Sequence, residues 1–289
     1  MNKFHGIFPA LLTPFDKNGE INYSALKKLV RFNLDKGVNG FYVCGSTSEA
    51  FLMSMDERKK VLETVLEENA GQAAIIAHVG QIGEGQAVEL AKHAKKAGAD
   101  AVSSVPPFYY GFTFDEIKSY YNGIADAGLP VFIYNFAAAG GVKLTVDNIR
   151  DFLSDPRFMG VKHTSSDFFM LERLKAFRED AVIFNGFDEM FLCGLIMGAD
   201  GAIGSTYNFM AEKFIKIEAL FRAGDIAGAQ AEQRKANNII EILCRYGVMP
   251  GAKVICNYLG VDTGICRKPF SELTGEKAEK VLEVYKANI

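Results

Sequence analysis

Eight short apolar runs recur along the first 206 residues, at 7–12, 40–44, 73–79, 101–105, 131–134, 159–163, 181–184 and 201–203. Each is continuously apolar rather than alternating, the pattern of a strand covered on both faces. Between them lie charged segments with apolar positions at helical spacing, among them 25–36, 56–68, 84–97 and 114–127. Polar residues mark the helix ends. Ser54 with Glu57, and Thr113 with Glu116, read as capping boxes. Lys36-Gly37 and Lys96-Ala97-Gly98 set a cation and then a glycine where a helix stops. This alternation predicts parallel strands joined by right-handed crossovers. Eight such units predict closure into a TIM-type (β/α)8 barrel. The competing arrangement, an open doubly wound sheet, usually has a glycine-rich phosphate turn after its first strand. Here the first run leads into Leu12-Thr13-Pro14-Phe15, which is no such turn.

After residue 203 the pattern turns helical, at 210–223, 225–246, 252–258 and 271–287. One of these segments would close the barrel wall as its eighth helix. The chain therefore divides into a barrel at 1–225 and a C-terminal helical appendage at 226–289. No linker rich in Pro, Gly or Ser separates them, so the appendage is expected to pack on the barrel or on a neighbouring subunit.

Composition narrows the function. The 289 residues are 49% hydrophobic and 23% charged, enough for a large core without disulfide or metal support. A net charge of −3 comes from 32 basic and 35 acidic residues, well mixed, which argues against nucleic acid as a partner. The five cysteines (Cys44, Cys193, Cys244, Cys256 and Cys266) form no CxxC pair and have no histidine cluster beside them. They read as reduced, mostly buried thiols of a cytoplasmic protein, with no metal site. Residues 1–15 lack the features of a signal peptide, and no apolar stretch reaches the roughly 18 residues of a membrane span.

Barrel active sites lie at the C-terminal ends of the strands. Reactive side chains fall there at Ser46 and Thr47, Tyr109, Tyr134, Lys162, Asp188 and Glu189, and Ser205. A lysine inside a barrel is costly to bury charged. Burial of this kind favours a neutral, nucleophilic amine able to form a Schiff base with a ketone. A lysine snorkelling from a strand end into solvent fits the same spacing. Tyr134 is equally readable as a proton relay or as a rim aromatic. The turn Gly45-Ser46-Thr47-Ser48-Glu49 gathers three hydroxyls and several N–H groups, suited to a carboxylate or phosphate, or else to a helix cap. Asp188 and Glu189 suit a polyhydroxylated ligand, or a cap on the following helix. The histidines His5, His78, His93 and His163 form no cluster, and His93, among helix lysines, is expected to be exposed.

With these residues placed, the whole chain resembles the superfamily of class I aldolases that holds N-acetylneuraminate lyases and dihydrodipicolinate synthases, and is most similar to its lyase branch. The matching stretches include Gly45-Ser46-Thr47, Tyr134-Asn135, Gly141-Val142-Lys143-Leu144-Thr145, Asn185-Gly186-Phe187-Asp188-Glu189 and Gly204-Ser205-Thr206-Tyr207-Asn208. The resemblance implies a Schiff base on Lys162, a proton relay at Tyr134, and a substrate carboxylate held by Ser46 and Thr47. It implies sugar hydroxyls bound by Thr164, Gly186, Asp188, Glu189 and Ser205. Tyr109 matches a tyrosine that some members supply from a neighbouring subunit. The implied reaction cleaves N-acetylneuraminate (sialic acid) to pyruvate and N-acetylmannosamine, in a homotetramer, without a cofactor. Related activities are a pyruvate-dependent aldolase of the synthase or 2-keto-3-deoxy sugar acid type, and a non-catalytic sensor barrel. Ala139 stands where synthases carry a carboxylate-binding arginine, which favours the lyase. The chain departs from the family pattern at Ala137, at Met249 and at Ser48, where a glycine is usual and a positive φ would strain serine.

Overall fold

The structure, a computed structural model, describes residues 3–136 and 141–289. Eight parallel strands form the centre: β1 (Gly6–Pro9), β2 (Gly40–Val43), β3 (Ala74–His78), β4 (Ala101–Ser104), β5 (Val131–Asn135), β6 (Phe158–His163), β7 (Val182–Asn185) and β8 (Gly201–Gly204). They are hydrogen-bonded in the order β1-β8-β7-β6-β5-β4-β3-β2. Ala10 bridges Tyr42, and the Leu11 N–H donates to the Tyr42 carbonyl, so β1 meets β2 and the barrel closes.

The continuous apolar runs follow from strand alternation between two buried faces. Phe8, Tyr42, Ile76, Phe132, Tyr134, Phe184 and Ile203 fill the barrel interior. Their neighbours Ile7, Phe41, Val43, Ile75, Ile133, Val161 and Ile183 join the layer beneath the helices. That outer layer consists of α1 (Tyr23–Asp35), α2 (Met55–Asn69), α3 (Glu84–Ala97), α4 (Phe114–Ala125), α5 (Val146–Leu153), α6 (Phe168–Phe177), α7 (Phe191–Ile196) and α8 (Tyr207–Arg222). Both predicted capping boxes are present, at Ser54 and at Thr113. Gly98 ends α3 with φ 97°, a conformation that suits glycine.

Several boundaries differ from the sequence pattern. The first strand stops at Pro9. The helix expected from 210 begins at Tyr207, and Met210 interrupts it with φ −140° and ψ 37°. The helix expected from 252 begins at Val248, because Pro250 falls in its first turn, where no N–H is needed. The helix expected from 271 starts at Gly275. Beyond α8 the chain forms α9 (Ile226–Tyr246), α10 (Val248–Tyr258) and α11 (Gly275–Asn288). Glu232 of α9 binds α8 through Lys216, with Nζ–Oε1 2.8 Å. No helix among the described residues is long and apolar enough to cross a membrane. Cys44, Cys256 and Cys266 are buried, while Cys193 and Cys244 are exposed. His93 is half-buried rather than exposed, with Nε2 2.9 Å from Glu63, since α3 packs beside α2 there while the neighbouring lysines stay exposed.

Candidate active site

Strand parity places Lys162. Val161 belongs to the outer layer, so Lys162 turns into the barrel. In the β5–β6 register Tyr134 lies directly beside Lys162. The Lys162 Nζ sits 4.0 Å from the Tyr134 ring centroid and 4.3 Å from that of Tyr42. Lys162 is only 4% exposed, which removes the snorkelling alternative. Tyr134 also stacks on Phe136, with centroids 5.7 Å apart.

Tyr42 is a site residue that the sequence pattern missed. Its hydroxyl donates to Ser103 Oγ at 3.0 Å, and burial pushes its pKa well above the usual phenol range. Its place next to the end of β2 is one that strand tyrosines commonly take, so nothing in the sequence singled it out. His78 completes the floor, its ring 6.1 Å from that of Tyr134. Its Nδ1 lies 3.0 Å from the Cys44 carbonyl, and the Val105 N–H donates to Nε2 at 3.4 Å. Burial, reinforced by the Arg58 guanidinium, pushes the imidazole well below its usual pKa, so His78 is neutral and ties β2 to β4. Arg58 is itself buried and donates to the carbonyls of His78 and Gly80.

The hydroxyl turn follows β2. Thr47 Oγ1 and Ser205 Oγ are 2.6 Å apart, which joins the loops after β2 and β8. Ser46 is half-buried. Ser48 does not share this site, because its hydroxyl donates to the Leu11 carbonyl. Nor is Ser48 strained: the left-handed residues after β2 are Cys44 and Glu49, each with φ 59°. Glu49 is held by a buried network. Its Oε1 lies 2.9 Å from Lys253 Nζ, and its Oε2 accepts from the Arg267 N–H at 2.7 Å. Lys253 also donates to the carbonyls of Thr13 and Ile265. Burial lowers the Lys253 pKa, and Glu49 opposes that shift.

Across the mouth lie the loops after β6 and β7. The buried Thr164 hydroxyl has no hydrogen-bond partner among the described residues. A Cβ on Gly186 would meet that hydroxyl at 1.9 Å, so glycine is required there. A Cβ on Gly204 would meet Asp188 Oδ1 at 1.9 Å for the same reason. His163 steadies the Thr164 loop. It accepts from Asn135 at 3.2 Å, and its Nε2 lies 3.0 Å from the Asp167 carbonyl. Asp188 does act as a cap, but not on the helix that follows it. Its Oδ2 accepts from Thr206 N–H at 2.8 Å and Thr206 Oγ1 at 2.6 Å, at the start of α8. Burial pushes its pKa up to about 6, against the Thr206 hydrogen bonds. Glu189 is half-buried beside it.

Tyr109 stands apart from this group. It is 82% exposed, packs edge-on against Tyr110 and adopts φ 79°. With Val142 and Leu144 it lines a groove of about 480 Å³ between the loops after β4 and β5. A larger groove, about 920 Å³, opens at the opposite end of the barrel beside Phe4 and Asn39, away from the reactive side chains. Met249 is half-buried in the first turn of α10. Ala137 and Ala139 lie outside the described residues.

A buried lysine between two tyrosines, with hydroxyls on one side of a barrel mouth and acids on the other, has the make-up of a Schiff-base aldolase. The chain belongs to the dihydrodipicolinate synthetase family, whose model matches residues 3–288. It is 44% identical over 285 residues to an N-acetylneuraminate lyase of Salmonella paratyphi B, covering 98% of this chain and 95% of the relative. Among solved structures it resembles CdNal from Clostridium difficile in complex with mannosamine, with TM-score 0.96, 38% identity and 99% of each chain covered. It also resembles an N-acetylneuraminate lyase from Fusobacterium nucleatum complexed with pyruvate, with TM-score 0.94, 37% identity and coverage of 99% and 98%.

Proposed function

We propose that the protein is a sialic acid aldolase that reversibly cleaves N-acetylneuraminate to pyruvate and N-acetylmannosamine through a Schiff base on Lys162. One observation carries the reading: the Lys162 amine is buried inside the barrel, 4.0 Å from the ring of Tyr134. The Lys162 nitrogen attacks the C2 ketone of the open-chain acid, and loss of water gives an iminium. Tyr134 takes the proton from the C4 hydroxyl as the C3–C4 bond breaks. The bonding pair moves onto C3 as an enamine, with the iminium as electron sink, and N-acetylmannosamine leaves. Protonation at C3 and hydrolysis then release pyruvate and restore the amine.

Ser46 and Thr47 hold the substrate carboxylate with their hydroxyls and the N–H groups of their turn. Thr164, Asp188, Glu189 and Ser205 meet the sugar hydroxyls, and Gly186 leaves room for them. The Thr164 hydroxyl, unpartnered among the described residues, supports this, since a buried polar group without a partner is costly until a ligand supplies one. No step requires a metal or organic cofactor. The reading extends to a cytoplasmic homotetramer. The free cysteines support a reducing compartment, and Tyr109 and Tyr110, exposed at the mouth, support a subunit contact. Sedimentation at the mass of one chain would contradict the tetramer.

Incubation with N-acetylneuraminate is expected to release pyruvate, read with a coupled dehydrogenase. No release, together with activity on a different 2-keto acid, would replace this function with that of a related aldolase.

A further inference from the structure

We propose that Gln233 and Asn237 of α9 are positioning residues for sugar recognition, holding the loop at 188–190 so that Asp188 and Glu189 face the polyol end of the substrate. The inference rests on the function proposed above and deepens it, by giving a helix outside the barrel wall a part in choosing the substrate.

The two side chains are spaced i, i+4 and so share one face of α9. That face is turned to the acidic loop. Gln233 is buried at 7% exposure and uses both ends of its amide. Its Nε2 donates to the Asp188 carbonyl at 3.0 Å and to Asn237 Oδ1 at 2.9 Å, and its Oε1 accepts from the Leu192 N–H at 3.1 Å. Asn237 Nδ2 donates to the Glu189 carbonyl at 3.0 Å. The backbone carbonyl of each acid is thus gripped by an amide of α9, and the first turn of α7 is gripped by the same glutamine. The loop is a single 3₁₀ turn. Asp188 has a second anchor in Thr206. The backbone of Glu189 is tied to α9 through Asn237.

The chemistry of the grip matters as much as its position. Both donors are neutral amides. A lysine or arginine at either position would pair with the carboxylates and occupy the oxygens that are to accept hydroxyl protons. Amides fix the backbone and leave Asp188 and Glu189 uncompensated by any cation on this face of α9. The pyruvyl end of the substrate sits elsewhere, on Lys162 and the turn after β2, and makes no use of this grip. Loss of the grip therefore separates the two halves of the substrate.

The test compares wild type with Asn237→Asp, which keeps the acceptor for Gln233 but sets a carboxylate against the Glu189 carbonyl. Asn237→Ser serves as a milder second variant. Two quantities are read: kcat and KM for N-acetylneuraminate cleavage, and the pyruvate concentration that gives half-maximal borohydride trapping on the enzyme. Both variants are expected to raise KM, by roughly five- to tenfold for one lost hydrogen bond, with the trapping midpoint within about twofold of wild type. An unchanged KM, or KM and trapping midpoint rising together in both variants, overturns the proposal. A wild type that traps pyruvate but does not cleave N-acetylneuraminate overturns the proposed function, and the role of α9 falls with it.

Discussion

Lys162 shows how much one residue's neighbours decide. Its strand context allowed a buried nucleophile or a surface amine equally. Parity with Val161, the register beside Tyr134, and 4% exposure exclude the surface amine and support the first reading. Tyr134 was legible as a candidate because a phenol at a strand mouth is chemically conspicuous. Tyr42 was not, since tyrosine is an ordinary strand residue and nothing local distinguishes one that touches a lysine across the barrel. If Tyr134 relays the proton, Tyr134→Phe keeps the ring packed on Phe136 but removes the hydroxyl. The expected outcome is a kcat lower by about 10²–10⁴-fold, with the loss falling on kcat rather than KM. Steady-state kinetics with kcat within threefold of wild type would take Tyr134 out of the relay.

Single elements were readable where one local signal decides them. The capping boxes at Ser54 and Thr113 depend on residues three apart, and both formed. The turn after β2 was harder: its left-handed residues are Cys44 and Glu49, not Ser48, and Glu49 is held by Lys253 and Arg267 from far along the chain. The junction of the β7 loop with α8 carries a pH signature. Asp188 is raised from 3.8 to about 6 by burial. The folded state therefore binds its proton more tightly than the unfolded chain does. This contribution to stability is complete below about pH 4 and is lost as pH rises through 6. A shift of that size corresponds to an order of 3 kcal/mol. Asp188→Asn keeps an acceptor for Thr206 but has no proton to lose. In urea titrations, wild type should lose stability relative to Asp188→Asn between pH 4 and 7. A difference flat with pH would show that Asp188 does not titrate as its burial dictates.

At the scale of the whole molecule, eight apolar runs and their caps were enough to foresee the barrel, because each strand and helix announces itself over a few residues. The way the C-terminal helices reach back to the site was not foreseeable. Gln233 meets Asp188, and Lys253 meets Glu49, only because packing brings distant segments together, and neither partner carries a motif. These two contacts place support from α9 and α10 under opposite sides of the mouth, the acidic loop and the hydroxyl turn. Within that framework the proposed function turns on one step, the covalent capture of the keto acid by a single lysine. Borohydride reduction in the presence of pyruvate, followed by peptide mass mapping, tests it most directly. The expected result is a single reduced pyruvyl adduct on Lys162, absent from Lys162→Ala. An adduct on another lysine, or none at saturating pyruvate, would contradict it.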